Sequence, residues 1–280
     1  MTDAKKALAL REENGGVAQN NLADDIRRME PEFQAAMPSG KEAARLVRDA
    51  LTALRNTYNL GKCDTASVLG SLMTCAQLGL RPGVLGHAWV LPYYDGKKRR
   101  HVAQLIIGYQ GFIELAHRSP AVASIVARPV HERDTFDVDY GIADTLVHKP
   151  YRGPEGRGDI TDYYAIVKFV GGGYAFWTMT RAECERHRDK YAPRKDKRIV
   201  GPWVSDFDAM ALKTQIRMLA KFMPKSPELA QAIEADGTVR VDVSPDVEPA
   251  EASEHIDAEI IVDDETEVEW PETAVPGGAA

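Results

Sequence analysis

Two pairs of extended apolar runs, each divided by a glycine-bearing turn, limit this chain more than any other feature. Residues 87–94 (HAWVLPYY) and 99–109 (RRHVAQLIIGY) flank Asp95-Gly96, and residues 163–170 and 174–179 flank Gly171-Gly172-Gly173. Connections this short leave no room for a crossover, so the strands they join run antiparallel. Asp-Gly supplies the turn chemistry for the first hairpin and the glycine run for the second. Residues 122–130 and 135–139 read as further strands, the latter alternating Phe136 and Val138 with acidic neighbours.

Around these strands the apolar period lengthens to that of helices. Ala43, Val47, Ala50, Leu51, Leu54 and Tyr58 form one stripe within 41–58. Asp64 is placed to cap the start of the next helix, and Gly79 its end. Residues 112–118 predict a short helix, Thr180 opens one running to about Tyr191, and Ser205 with Asp208 resembles a capping pair for a helix reaching Met223. The fold class expected is α+β, antiparallel strands and hairpins with packed helices. We expect one such domain over 39–235. Residues 1–38 predict a loosely docked arm or helix, amphipathic from Asn21 to Phe33 and available for oligomerisation, and 236–280 a disordered acidic tail; both termini are expected to be flexible.

Charge follows the same division. The chain carries 35 Lys and Arg against 42 Asp and Glu, a net of -7. From Ala235 onward there are fourteen acidic residues and one basic one, Arg240, leaving the remainder net positive. A basic body points to a polyanionic partner, with the tail as an interaction arm or a competitor for the same surface. No apolar window approaches a membrane span and the start resembles no secretory signal, which argues against a membrane or secreted protein. Three cysteines without a C-x-x-C pair suit neither a disulfide framework nor a zinc knuckle, so a reducing cytoplasm is the expected compartment.

Three basic clusters suggest where a polyanion would lie. Lys213, Arg217 and Lys221 recur at i, i+4 and i+8, a cationic rail along one helix face, although a solvated face of an amphipathic helix reads the same way. Lys97, Lys98, Arg99 and Arg100 sit on the first hairpin beside Trp89, Tyr93 and Tyr94. Arg194 and Lys195 lie in a basic loop between Tyr191 and Trp203. Cations interleaved with flat rings suit a single-strand groove, and nothing resembles a duplex-reading helix-turn-helix or zinc finger. The alternative is that the rings are core and the charges rim.

Bond-breaking chemistry has weaker support. No phosphate-cradling G-x-x-x-x-G-K-[ST] is present, which disfavours an ATP-driven machine. Asp134, Asp137 and Asp139 are the best carboxylates for a metal-dependent nuclease, but a strand edge facing water explains them as well. Cys184 and His187 lack the partners of a catalytic pair.

Four collinear stretches, CDTASVLGSLMTCAQLGLRPG (63–83), HAWVLPYYDGKKRRHVAQLIIGYQGFIELAHRS (87–119), YYAIVKFVGGGYAFWTMTRAECERH (163–187) and GPWVSDFDAMALKTQIRMLAKFMPKSPELAQAIEAD (201–236), resemble the RecT family of phage single-strand annealing recombinases. The resemblance implies a non-enzymatic protein of the bacterial host cytoplasm that binds single-stranded DNA and the annealed duplex. It implies a ring or helical filament of identical subunits pairing complementary strands in homologous recombination without ATP. A phage exonuclease and, through the acidic tail, the host single-strand-binding protein would be partners. Magnesium would modulate annealing without being a required cofactor, and no residue is assigned to catalysis or metal. Tyr109, Gln110 and Arg118, from the second stretch, join the DNA-binding candidates on this basis, with packing for Tyr109 and helix capping for Arg118 as alternatives. A plain single-strand-binding protein remains the alternative function.

Overall fold

The computed structural model describes residues 21–192, 194–195, 197–224, 226–249, 251–254 and 258–260. In chain order the elements are helical residues 21–28 (α1), α2 (Glu30–Ala36), α3 (Ala43–Asn56), α4 (Thr65–Leu78), β1 (Ala88–Asp95), β2 (Arg100–Ile107) and α5 (Tyr109–His117). Then come β3 (Val122–His131), β4 (Thr135–Asp139), β5 (Thr145–Lys149), β6 (Ile160–Phe169), β7 (Tyr174–Thr180) and α6 (Arg181–Tyr191). The remainder is β8 (Arg194–Lys195), β9 (Arg198–Ile199), α7 (Pro202–Ser205), α8 (Phe207–Leu219), α9 (Pro227–Ala235), β10 (Val239–Arg240), β11 (Ser253–Glu254) and β12 (Ala258–Ile260). All strand pairing between these elements is antiparallel, as the short connections require. The described residues divide into two compact units, 21–111 with 230–260, and 112–229.

The first unit is built on α4. Asp64 accepts a hydrogen bond from the Ser67 N–H at 3.2 Å, and Gly79, at φ 59, closes the helix in the left-handed conformation that glycine adopts without steric cost. Small residues let neighbours approach on every side, and Ser67 through Ala76 are all buried. The hydroxyls of Ser71 and Thr74 turn back onto carbonyls of their own helix, which removes the cost of burying them. The sheet beside it has the order β12-β1-β2. Leu22, Ile26 and Phe33, on α1 and α2, are buried, while residues 1–20 of the expected arm lie outside the described residues.

Of the residues expected to form an acidic tail, some of those described are held in place. Val239 and Arg240 are buried, the latter at 1% exposure, and β12 pairs with β1 with Ile260 opposite Tyr93. The guanidinium of Arg240 donates to the carbonyls of Asp242, Ser244 and Val247 and to the Gln77 side chain on α4. Gln77 in turn donates to the carbonyls of Pro245 and Val247. The one basic residue of the acidic stretch thus fastens it to α4. The part of the expected tail after Ile260 lies outside the described residues.

The second unit carries a sheet of order β3-β6-β7, with α8 packed on all three strands. The β6–β7 hairpin turns through the glycine run as expected, with Lys168 opposite Tyr174. The strand expected over 135–139 pairs as β4 with β5, a strand that no turn dipeptide in the sequence marks. Two capping expectations diverge. Thr180 and Glu183 form the reciprocal box that opens α6, whereas Asp206, not Ser205, caps α8 by accepting from the Ala209 N–H at 3.0 Å. α8 then stops at Leu219 and tightens into a 3₁₀ turn over Ala220–Phe222, short of Met223.

Candidate nucleic-acid interface

On the first unit, β1 and β2 are joined by a four-residue loop, 96–99, rather than by a two-residue Asp-Gly turn. Buried Asp95 organises it, its Oδ1 accepting from the backbone N–H groups of Lys97 at 3.0 Å and Lys98 at 3.1 Å. The left-handed position falls on Arg99, at φ 48. Lys97, Lys98 and Arg99 are exposed, while half-buried Arg100 faces Asp64 at 3.5 Å. Lys98 Nζ lies 3.8 Å from the Glu254 carboxylate, so an acidic residue of the returning segment already touches this loop. Tyr93 and Tyr109 are buried and Gln110 is half-buried, which makes the two tyrosines packing residues.

On the second unit the expected rail is interrupted. Lys213 is 6% exposed, with Nζ 5.9 Å from the centroid of Phe112. It lies one residue from Leu212, about 100° around the helix, and the burial of α8 is continuous from Ala211 to Ile216. Packing on the sheet and on Phe112 therefore covers an arc wider than the apolar stripe alone, and it includes Lys213. Arg217 is half-buried, and Lys221, on the 3₁₀ turn, is exposed.

A different cluster replaces the rail. His187 on α6 is held below the usual histidine range by burial first, and then by the positive charges of Arg217, Lys190 and Lys221. The three cations, from two helices and a turn, thus lie near enough to disfavour a further positive charge on the His187 ring. Its ring lies 4.7 Å from that of Tyr191 and 6.0 Å from that of Trp203. Tyr191 is exposed with Lys190 Nζ 5.0 Å from its centroid, whereas Trp203 is 6% exposed and packs edge-on to Phe207. Arg194 is exposed near the end of α6 and donates to the Asp189 carbonyl. Lys195 is described only as backbone in β8. Arg118 pairs with Glu114 at 3.3 Å, one turn back on its own helix.

Lys190 and His187, the latter weighed only as half of a catalytic pair, are not DNA-binding candidates in the sequence, and neither is Phe222. The first two share a helix face with Tyr191, a spacing that could have been read, but their meeting with Arg217 and Lys221 depends on how α6 lies beside α8. Of the thirteen sequence candidates, Lys97, Lys98, Arg99, Arg100, Tyr109 and Gln110 fall in the first unit. Arg118, Arg194, Lys195, Trp203, Lys213, Arg217 and Lys221 fall in the second.

The carboxylate candidates are separated by their surroundings. The Asp134 side chain is fully buried and accepts from Arg157, from His148 Nε2 at 3.0 Å, and from the backbone N–H groups of His131 at 2.9 Å and Tyr151 at 2.8 Å. Arg157 above all holds its carboxyl well below the usual range. Its oxygens are occupied in pinning the β4–β5 hairpin, while Asp137 and Asp139 point to solvent on β4. Among the described residues no group of three or more His, Cys, Asp or Glu is placed to hold a metal ion. The Cys184 thiol, pushed up to about 12 chiefly by burial, is far from the reactivity of a nucleophile.

Similarity to known proteins covers both units. The sequence matches the RecT family across residues 44–251. It is 38% identical over 220 residues to Protein RecT of Escherichia coli (strain K12), covering 78% of this chain and 80% of that one. It is 33% identical over 232 residues to the uncharacterized protein YqaK of Bacillus subtilis (strain 168), covering 81% of this chain and 76% of the relative. With a match spanning the hairpin loop, the cations near His187 and the segment fastened by Arg240, the chain belongs to the RecT family.

Proposed function

We propose that this chain binds single-stranded DNA and anneals complementary strands without ATP, as a homo-oligomer in phage homologous recombination. The observation that carries the reading is the RecT family match over residues 44–251, within which the exposed ring of Tyr191 has Lys190 Nζ 5.0 Å from its centroid and Lys221 is exposed. A phosphodiester backbone presents a negative charge at each nucleotide to exposed cations such as Lys190 and Lys221. Lys97, Lys98 and Arg99 give the first unit a cationic loop of the same kind. Annealing needs two polyanions brought together with base edges free, so backbone neutralisation by the protein and recognition by base pairing divide the work between them. No bond is made or broken, and no residue is needed as a catalyst.

Ring or filament assembly, modulation by magnesium, cooperation with a phage exonuclease, contact with the host single-strand-binding protein through the acidic tail, and residence in the bacterial cytoplasm belong to the same reading. Titrating labelled single-stranded DNA at several salt concentrations tests it. Reversing charge at Arg217 and Lys221 should lower the slope of log K against log salt by about 0.7 for each lost phosphate contact. An unchanged slope refutes the assignment. Mixing complementary strands separates an annealer, which accelerates duplex formation, from a coating protein, which slows it. Shortened products in the presence of magnesium would instead reveal a nuclease.

A further inference from the structure

The cations account for phosphates, but one aromatic pair beside them is not explained by charge. Trp177 on β7 and Phe222 on the 3₁₀ turn stack with centroids 5.8 Å apart and planes 19° from parallel. Phe222 is nevertheless 59% exposed. Its neighbours Ala220 and Met223 are buried, at 2% and 6%, so the turn that carries the ring is anchored on both sides. Lys221 immediately precedes it and is exposed. Tyr191, the other exposed ring of the cluster, already has Lys190 and His187 against it.

We propose that Phe222, backed by Trp177, is a stacking platform for one unpaired nucleobase, while Lys221 and Arg217 hold the adjoining phosphates. This rests on the single-stranded DNA reading above and adds to it a means of discrimination. A base within a duplex has both faces occupied by its neighbours, whereas an unpaired base can offer a face to a protein ring. An apolar ring exposed beside a cationic cluster suits a ligand that is flat and apolar on one part and anionic on the next. A nucleotide in a single strand has that chemistry.

The experiment uses the full chain with two labelled probes of equal length and charge, an oligothymidine and an abasic deoxyribose-phosphate oligomer. The wild-type protein should bind the oligothymidine more tightly. Phe222→Leu should lose about tenfold on the oligothymidine, little on the abasic probe, and leave the salt slope unchanged. Phe222→Trp should retain the preference, which guards against reading a folding defect as a lost contact. Equal affinity of wild type and Phe222→Leu for oligothymidine overturns the platform while leaving the DNA-binding reading intact. So does an equal loss on both probes accompanied by a change in oligomer mass, which would make Phe222 a subunit contact. Failure of the wild type to bind either probe overturns both.

Discussion

The Asp134 carboxylate illustrates how burial sets the role of a charge. It is paired with Arg157 and hydrogen-bonded by His148, and its low pKa means that the native state favours the ionised form. The stabilisation it provides is complete above the ordinary aspartate range and is lost only as pH falls through the depressed native value. Asp134→Asn should cost about 3 kcal/mol, because it leaves Arg157 without its partner. The deficit in urea unfolding should be constant from neutral pH to about pH 4 and shrink in stronger acid. His187 works in the same direction, but through its neutral form and in a higher pH window. Its native pKa is lowered from 6.5, so unfolded chains take up the proton first and the native state loses stability as pH falls through 6.5 toward the native value. Replacing it by Gln should flatten thermal stability over that window. Lys213→Met, at a buried position, should leave the salt slope of DNA binding unchanged, unlike Lys221→Ala, which should lower it by about 0.7.

Among the elements, α4 and the strand segment β10 depend on one another. A Cβ added at Gly70 would collide with the carbonyl of Arg240, so this glycine is the opening through which the returning backbone reaches the helix. Gly70→Ala and Arg240→Met should each destabilise the first unit, by about 2 kcal/mol. Hydrogen exchange should accelerate selectively in 236–249, and uniform protection across that segment would refute the anchoring role. The helix itself, capped by Asp64 and Gly79, was legible because both caps act within one turn of chain. α8 was legible in its period but not in its surroundings. The period identifies Leu212, Ile216 and Leu219 as buried, whereas the width of the covered arc, which takes in Lys213 and Gln215, is set by the strands and by Phe112, distant in sequence.

For the whole molecule, the consequence concerns where the acidic segment can be cut. Removal of everything after Asp236 would take away Val239 and Arg240, both buried, and would test stability rather than charge. A cut after Ile260 keeps the described strands and still removes six acidic residues. If the remaining tail competes electrostatically with DNA, this shorter chain should bind single strands more tightly at low salt, with the gain vanishing as ionic strength rises. Unchanged affinity at low salt would leave the tail only a partner-docking role. The contact between Lys98 and Glu254 predicts a smaller effect of the same sign for Glu254→Gln.

What the sequence determined by itself was local: antiparallel pairing where a few residues join two strands, helix ends where a capping side chain or a glycine sits beside the backbone it serves, and the excess of positive charge ahead of an acidic end. Tertiary structure decided which of those charges meet solvent. Lys213 is sheltered by Phe112, and Asp134 is enclosed by residues 131–157. Arg240 finds its acceptor on α4, 163 residues away in the chain. Periodicity reports the face a residue occupies on its own element, but burial is a property of what lies opposite. That partner is supplied only when distant segments pack together.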